Sequence, residues 1–272
     1  MQAHPARWPE PALPPTVVRV IDTETAGQRF AEDAVIEIGS TDLDLETGLA
    51  SNPMETLCDP DGVAISAGAR KVHNITDEEL EGAPPFAEAV LGFAGAATYA
   101  AHRATFDRPR LGIPGTWLCT WKLALRAFPD ATAHGLQSLV KRLPLEPELP
   151  EGSHAHRALY DAACTVALLR ACHAALAPRC EGTLDFLVRA ARVSAEPGLL
   201  TRFRFGRHKG VPLREVPSDY LEWLIGEPDM NADAAFTARH ELRRRGLMQG
   251  PSAPDGTAAD GASGAGDGPA LI

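Results

Sequence analysis

Three observations predict an α/β fold followed by a small second module. Residues 16–58 read as three strands joined by short turns, which is the pattern of an antiparallel meander. From about residue 96 to 193, short apolar strand runs alternate with helical spacing. Beyond 194 the pattern changes to a short alternating run, a tight basic turn and two helices. The 272 residues, 44% hydrophobic, suffice for one sizeable core with an appendage.

The elements follow in order. Residues 1–15 hold Pro5, Pro9, Pro11, Pro14 and Pro15 without periodicity, and read as a disordered leader. A β-branched run then leads from Val17 into Ile21, the first strand. Ala34 to Leu45 gives the second, with Val35, Ile36, Ile38, Leu43 and Leu45 apolar. Glu46-Thr47-Gly48 is a turn signal before a third strand near 49–58. Ser66–His73 and Asp77–Leu80 suggest short helices, and Pro84-Pro85 opens another carrying Phe86, Ala89, Val90 and Phe93. Ala96–Ala101 is a small apolar strand, turning at His102 into a helix to Leu111. After a strand at Thr116–Cys119, Thr120 can cap a helix that Pro129 ends. Gly135–Leu143 is a short helix and Pro144–Gly152 a loop. Arg157–Leu176 is the longest helical pattern, and Glu181–Val193 closes a domain of residues 16–194. In the module 195–247, Leu199–Phe205 alternates like a strand, Gly206–Gly210 is a basic turn, and two helices follow. From 248 on, Gly, Ala, Asp, Ser and Pro predict a disordered tail.

Composition narrows the function classes. No apolar run approaches 18 residues and the leader lacks an apolar signal core, so neither a membrane partner nor secretion is expected. The five cysteines (Cys58, Cys119, Cys164, Cys172, Cys180) are odd in number and form no C-x-x-C pair. They suit buried thiols in a reducing cytoplasm better than disulfides or a zinc site. The net charge of −10 sits awkwardly with a nucleic-acid partner, yet Arg189, Arg192, Arg202, Arg204, Arg207, Lys209 and Arg214 face only Glu196 within their stretch.

The chemistry starts at Asp22-Thr23-Glu24-Thr25, where the first strand ends. Residues two apart on a strand share a face, so Asp22 and Glu24 project together. Paired carboxylates repel unless a cation lies between them, and hard divalent cations prefer such oxygen ligands. Alone, the pattern Asp-x-Glu most often marks a solvated strand end. Two later stretches change that: Ala101-His102-Arg103-Ala104-Thr105-Phe106-Asp107, and His156-Arg157-Ala158-Leu159-Tyr160-Asp161. Asp22, Glu24, Asp107 and Asp161, with His156 five residues before the last, resemble the DEDDh (DnaQ-like) 3′→5′ exonucleases in order and spacing. The bacterial exonuclease X branch resembles the chain further at Lys71-Val72-His73-Asn74-Ile75-Thr76, at Trp117–Ala124 and at Phe203–Gly210, covering about residues 16–246.

The resemblance implies a ribonuclease-H-like mixed five-stranded sheet flanked by helices. It implies two metal ions, Mg²⁺ with Mn²⁺ able to substitute, held by Asp22, Glu24, Asp107 and Asp161, and His156 as general base. It implies contacts from Thr23, Thr25 and His73 to the terminal nucleotide, with Phe106 beside it. Where many relatives carry Asn, this chain has Arg103, which can reach a phosphate instead. Arg204, Arg207 and Lys209 could hold a phosphate chain at the C-terminal turn, whose glycine spacing is not that of a P-loop. Glu37, with no partner in the motifs, reads as structural; His154 breaks the spacing and receives no role. The expected activity is 3′→5′ exodeoxyribonuclease action on a single-stranded or frayed DNA end, releasing nucleoside 5′-monophosphates, in DNA repair or recombination. RNA trimming, a polymerase proofreading subunit and a catalytically silent nucleic-acid-binding module are the alternatives.

Overall fold

The computed structural model describes residues 2–27, 29 and 33–248. The chain divides into two compact units, the first ending at Ser194 and the second beginning at Ala195. In the first unit, β1 (Val17–Thr25), β2 (Val35–Asp44), β3 (Ala50–Leu57), β4 (Thr98–Ala101) and β5 (Thr116–Cys119) form one sheet in the order β3-β2-β1-β4-β5. The meander pairs β1 with β2 and β2 with β3 antiparallel, while β4 lies parallel to both β1 and β5. The sheet is therefore mixed, as expected. Its helices are α1 (Ala67–His73), α2 (Phe86–Ala89), α3 (Ala104–Leu111), α4 (Thr120–Ala127), α5 (Leu136–Arg142), α6 (Ala158–Leu176) and α7 (Thr183–Ala195).

Three features place the site. The central strand β1 is buried on both faces, which is why it reads as a continuous apolar run before its acidic end. Helix α6 is buried along most of its length and packs on β1 and β2. By length and composition it could cross a membrane, but most of that apolar window lies inside the fold, so it is a core helix. Third, a glycine lets it approach: a Cβ on Gly39 in β2 would overlap the backbone of Ala158 and Leu159. Any side chain there would push the start of α6 off the sheet.

The structure departs from the sequence expectation in three places. Residues 2–15 do not form a free leader. The Gln2 amide bonds Val35 on both backbone atoms and Asp59 O, the His4 ring meets Phe86 edge-on at 5.7 Å, and Ala12 N–H bonds Gly95 O at 2.9 Å. Proline-rich chain cannot pair with itself, but it can lie along a surface and lend it a few donors. Asp77–Leu80 is a turn: Thr76 and Glu79 bond each other's backbone amides, and the chain bends away at Leu80 and Gly82. Leu199–Phe205 is no strand. The last helix of the second unit takes the amides where that run begins, Gly198 N–H through Asp233 and Leu200 N–H through Thr237 Oγ1, and an isolated bridge between Arg202 and Pro212 follows. The tail expected from 248 lies, beyond Met248, outside the described residues.

The second unit builds its own core. Helices α8 (Ser218–Gly226) and α9 (Ala232–Arg244) pack Tyr220, Leu221 and Leu224 against Ala234, Ala238 and Leu242, with Phe203 and Val216 closing the cluster. The five cysteines are free thiols, four of them buried.

Candidate active site

Four carboxylates from four positions in the chain meet at the end of β1. Asp22 pairs with Gly39 and Glu24 with Glu37 across the β1–β2 ladder, so all four residues share the sheet face that receives α6. Asp161 arrives on the first turn of α6. Asp107 arrives on α3, buried, where Thr23 Oγ1 donates to its Oδ1 at 2.8 Å. Asp22, Glu24, Asp107 and Asp161 line one groove of about 320 Å³ together with Thr23, Thr25, His73, Arg103 and Phe106. The sequence-predicted residues of the first unit thus converge, apart from His156. That side chain is not part of the groove wall; it is 47% exposed, with Nδ1 3.8 Å from Asp161 Oδ2. One ligand atom each from Glu24, His156 and Asp161 can nevertheless be placed within 4.8 Å of one another. Arg204, Arg207 and Lys209 lie in the second unit.

The start of α6 rests on residues that sequence reasoning passed over. Arg157 before it supplies no side-chain cap, leaving the first helical amides without partners. Two sheet carboxylates take them: Glu37 Oε2 accepts from Ala158 N–H at 2.8 Å, and Glu55 Oε1 from Leu159 N–H at 3.3 Å. Glu37, fully buried, also accepts from Arg157 Nε at 2.8 Å. The residue read as structural is thus the anchor of the helix that carries Asp161. Gln137 Nε2 on α5 donates a hydrogen bond to Asp161 Oδ1 at 2.7 Å. These pairings span 24 to 121 residues of sequence and have no local signal.

Electrostatics single out this cluster. Burial, then Asp107, Asp161, Glu24 and Glu37, raise the Asp22 pKa well above the usual carboxylate range. Glu24 is pushed up to about 9 by burial and by Asp161, Glu37 and Asp107. Burial takes Asp107 to about 7 against the opposing bond from Thr23, and raises Asp161 against the pull of His156. Such a set holds its protons or a cation; hard oxygen donors converging from separate elements fit a divalent metal. His73 is buried and held neutral, its pKa lowered by burial, with Nδ1 accepting from Ile75 N–H at 2.9 Å. Arg103 takes left-handed backbone (φ 76°) and lays its guanidinium over Trp121, 4.0 Å from the ring centroid. Phe106 carries the Arg110 guanidinium 3.6 Å above its ring.

Comparison with known proteins decides what this geometry belongs to. The family of exonucleases called RNase_T matches residues 19–111, spanning Asp22, Glu24 and Asp107. Exodeoxyribonuclease 10 of Escherichia coli K12 is 34% identical over 238 residues, 83% of this chain and 99% of that protein. The chain belongs to the DEDDh exonuclease family, beside exodeoxyribonuclease X. It is an exonuclease, a phosphodiester hydrolase. A solved exonuclease X, bound to 5′-overhanging duplex DNA, superposes with a TM-score of 0.57 at 34% identity, covering 65% of this chain and 99% of that one. Exonuclease I of E. coli, solved with a dT13 oligonucleotide, shares the fold at a TM-score of 0.53 and 16% identity, covering 79% of this chain and 60% of that one. DEDDh exonucleases use divalent metal ions, and the donor set at the end of β1 suits that requirement.

Proposed function

We propose that this DEDDh exonuclease is a 3′→5′ exodeoxyribonuclease dependent on Mg²⁺, with Mn²⁺ able to substitute. Asp22, Glu24 and Asp161 on the α6 side, with Asp107 opposite, would hold the ions. The observation that carries the reading is this convergence of four carboxylates in one groove beside an exposed imidazole. Divalent cations there would neutralise charge developing on the phosphate and lower the pKa of the attacking water.

The protein's own groups do the rest. His156 takes a proton from the water whose oxygen attacks phosphorus, imidazole being the side chain that most often serves as such a base. The bond from phosphorus to the 3′-oxygen breaks, leaving a shortened strand and a nucleoside 5′-monophosphate. The Thr23 hydroxyl fixes the rotamer of Asp107, and Gln137 that of Asp161. Thr25, His73 and Phe106 line the groove where the terminal nucleotide would sit, and Arg103, also on that wall, would meet a phosphate. In the second unit Arg204, Arg207 and Lys209 would hold strand phosphates, and DNA repair or recombination is the process such an activity would serve.

Matched DNA and RNA oligonucleotides labelled at the 5′ end test the proposal. Stepwise shortening of DNA with Mg²⁺, abolished by chelator, is expected; unchanged cleavage in saturating chelator, or shortening of RNA alone, would sink it. His156→Ala should lower turnover by roughly 10²–10⁴-fold, the usual contribution of a general base, with DNA affinity kept.

A further inference from the structure

The second unit carries an aromatic surface that the chemistry of the groove does not use. Phe205 and Trp223 are 37% and 50% exposed, although the unit has a closed core to offer large apolar side chains. They are the two open ends of a string of rings. Phe205 lies 5.7 Å from the buried Phe203, Phe203 is 6.4 Å from Tyr220, and Tyr220 is 5.2 Å from Trp223 at an interplanar angle of 32°. The buried middle holds the exposed ends in place.

The loop bearing the cations is built onto the same rings. Gly210 N–H bonds Phe203 O at 2.9 Å and Arg202 Nη1 bonds Gly210 O at 2.7 Å, closing residues 203–210. Gly206 sits at φ +68°, and a Cβ there would overlap the Tyr220 hydroxyl, so the loop lies directly against that ring. His208 meets Tyr220 edge-on at 4.6 Å and the Arg207 guanidinium stands 5.1 Å from its centroid. Arg204, Arg207 and Lys209 are exposed. Helix α8 carries the acidic Asp219 and Glu222, and Glu215 precedes it beside Arg214. Arg207 approaches Asp219 only to 4.0 Å, with both side chains about two-thirds exposed or more, a pairing that costs little to exchange for another anion.

Exposed ring faces bordered by loosely committed cations complement a chain of flat bases joined by phosphates. They do not complement duplex DNA, whose bases are already stacked, nor an apolar peptide, which has no use for the cations. We infer that Trp223 and Phe205 form a stacking platform for unpaired bases of single-stranded nucleic acid, with Arg204, Arg207 and Lys209 on its phosphates. This rests on the proposed function only in taking nucleic acid as the ligand. Every base has a π-face, so the platform tolerates any sequence.

The test is binding by the full chain with Ca²⁺ in place of Mg²⁺, so that the platform is read whether or not the groove cleaves. The probes are oligo(dT) and a blunt duplex, each of about 20 units, longer than the sites such platforms cover. Trp223→Ala and Phe205→Ala should each weaken oligo(dT) binding roughly tenfold, in keeping with about 1–3 kcal/mol per stacked base, and leave duplex binding within about twofold. Trp223→Phe should recover most of the loss, and oligo(dT) should quench tryptophan fluorescence in the parent but less in Trp223→Ala. Arg207→Gln with Lys209→Gln should flatten the log–log salt dependence by about 1.4 units, near 0.7 per phosphate contact on a single strand. Equal weakening for duplex and single strand, no weakening in either alanine variant, or dissociation of a dimer by Trp223→Ala would each overturn the platform. The last would make the surface an interface between copies.

Discussion

Two buried charge clusters lie on the same strand and behave oppositely. At Arg19, β1 carries a guanidinium that meets Asp42 directly opposite on β2 through two bonds, 2.7 and 2.8 Å long. The same guanidinium bonds Phe93 O and Ala94 O, and Asn52 completes Asp42 at 3.0 Å. Charge and hydrogen-bond capacity are matched within the protein. Three residues on, Asp22 begins a cluster of carboxylates in which burial, with mutual repulsion at Asp22 and Glu24, outweighs the pull of Arg157 on Glu24, Arg110 on Asp107 and His156 on Asp161, and the pKa values rise. Burial alone therefore does not mark a functional charge. What distinguishes the end of β1 is that carboxylate burial outweighs the cationic groups the fold brings to it, the arrangement expected where a cation binds from outside.

Exchanging Asp for Asn at each cluster breaks the comparison most sharply. Asp22→Asn should lower activity by roughly 10³-fold or more, the several kcal/mol a metal supplies to the transition state. It should also raise the melting temperature of the metal-free protein, since a repelling carboxylate is gone. Asp42→Asn should do the reverse. Leaving Arg19 buried without its anion should cost about 3–5 kcal/mol of stability, read by urea denaturation, while molecules still folded cleave DNA at near the parent rate. A fall in metal-free stability for Asp22→Asn would refute the contrast.

A third kind of buried ionisable group sharpens it. His102 stands between Thr120 Oγ1 and His134 O, and burial pushes its pKa down to about 4. A base with a folded pKa below its unfolded value near 6.5 destabilises the fold only in acid. The parent should lose about 3 kcal/mol between pH 6.5 and 4 relative to His102→Gln, the difference between the two proteins being constant above about pH 7. Parallel stability curves for the two proteins would show that His102 titrates normally.

Gly39→Ala should come next. Overpacking against Ala158 and Leu159 should cost about 1–3 kcal/mol, and by displacing Asp161 it should lower turnover more than DNA affinity. The smallest effect concerns residues 2–15. Deleting 1–14 removes the bonds of Gln2 and Ala12, so the melting temperature should drop by a few degrees, each kcal/mol being worth about 2–4 °C at this size. An unchanged melting temperature would mean that those contacts carry no weight.

What could be read from the sequence was whatever repeats locally. The apolar run before Asp22, the turn at Thr47-Gly48, and the five-residue step from His156 to Asp161 each carry their own pattern, and the strands, the meander and α6 followed from them. The anchor of α6 was illegible for a definite reason. Glu37 and Arg157 lie 120 residues apart, and each alone looks like a solvated charge on an ordinary element. Gly39 gave no turn signal either, because its value lies in what a Cβ would strike rather than in its backbone angles. In the second unit, alternating Leu199–Phe205 imitates a strand, but α9 side chains hold the amides of Gly198 and Leu200 where that run begins.

The clamp at the start of α6 has a consequence for local opening. Helix ends ordinarily fray, and their first amides exchange with solvent at little cost in free energy. Here the Ala158 and Leu159 amides are bonded to Glu37 and Glu55 of the sheet, so the first turn cannot open without breaking contacts to β2 and β3. Exchange at Ala158, whose bond is short and buried, should approach the protection of the core strands. Asp161 therefore rides on a helix start that opens only as the sheet does. His156 sits just outside the clamp in left-handed backbone (φ 68°), a conformation a non-glycine residue holds at a cost of about 1 kcal/mol. Asp161, proposed as a metal ligand, thus follows the sheet in any opening of the helix start, whereas His156, the proposed base, lies outside the bonds that tie that start down.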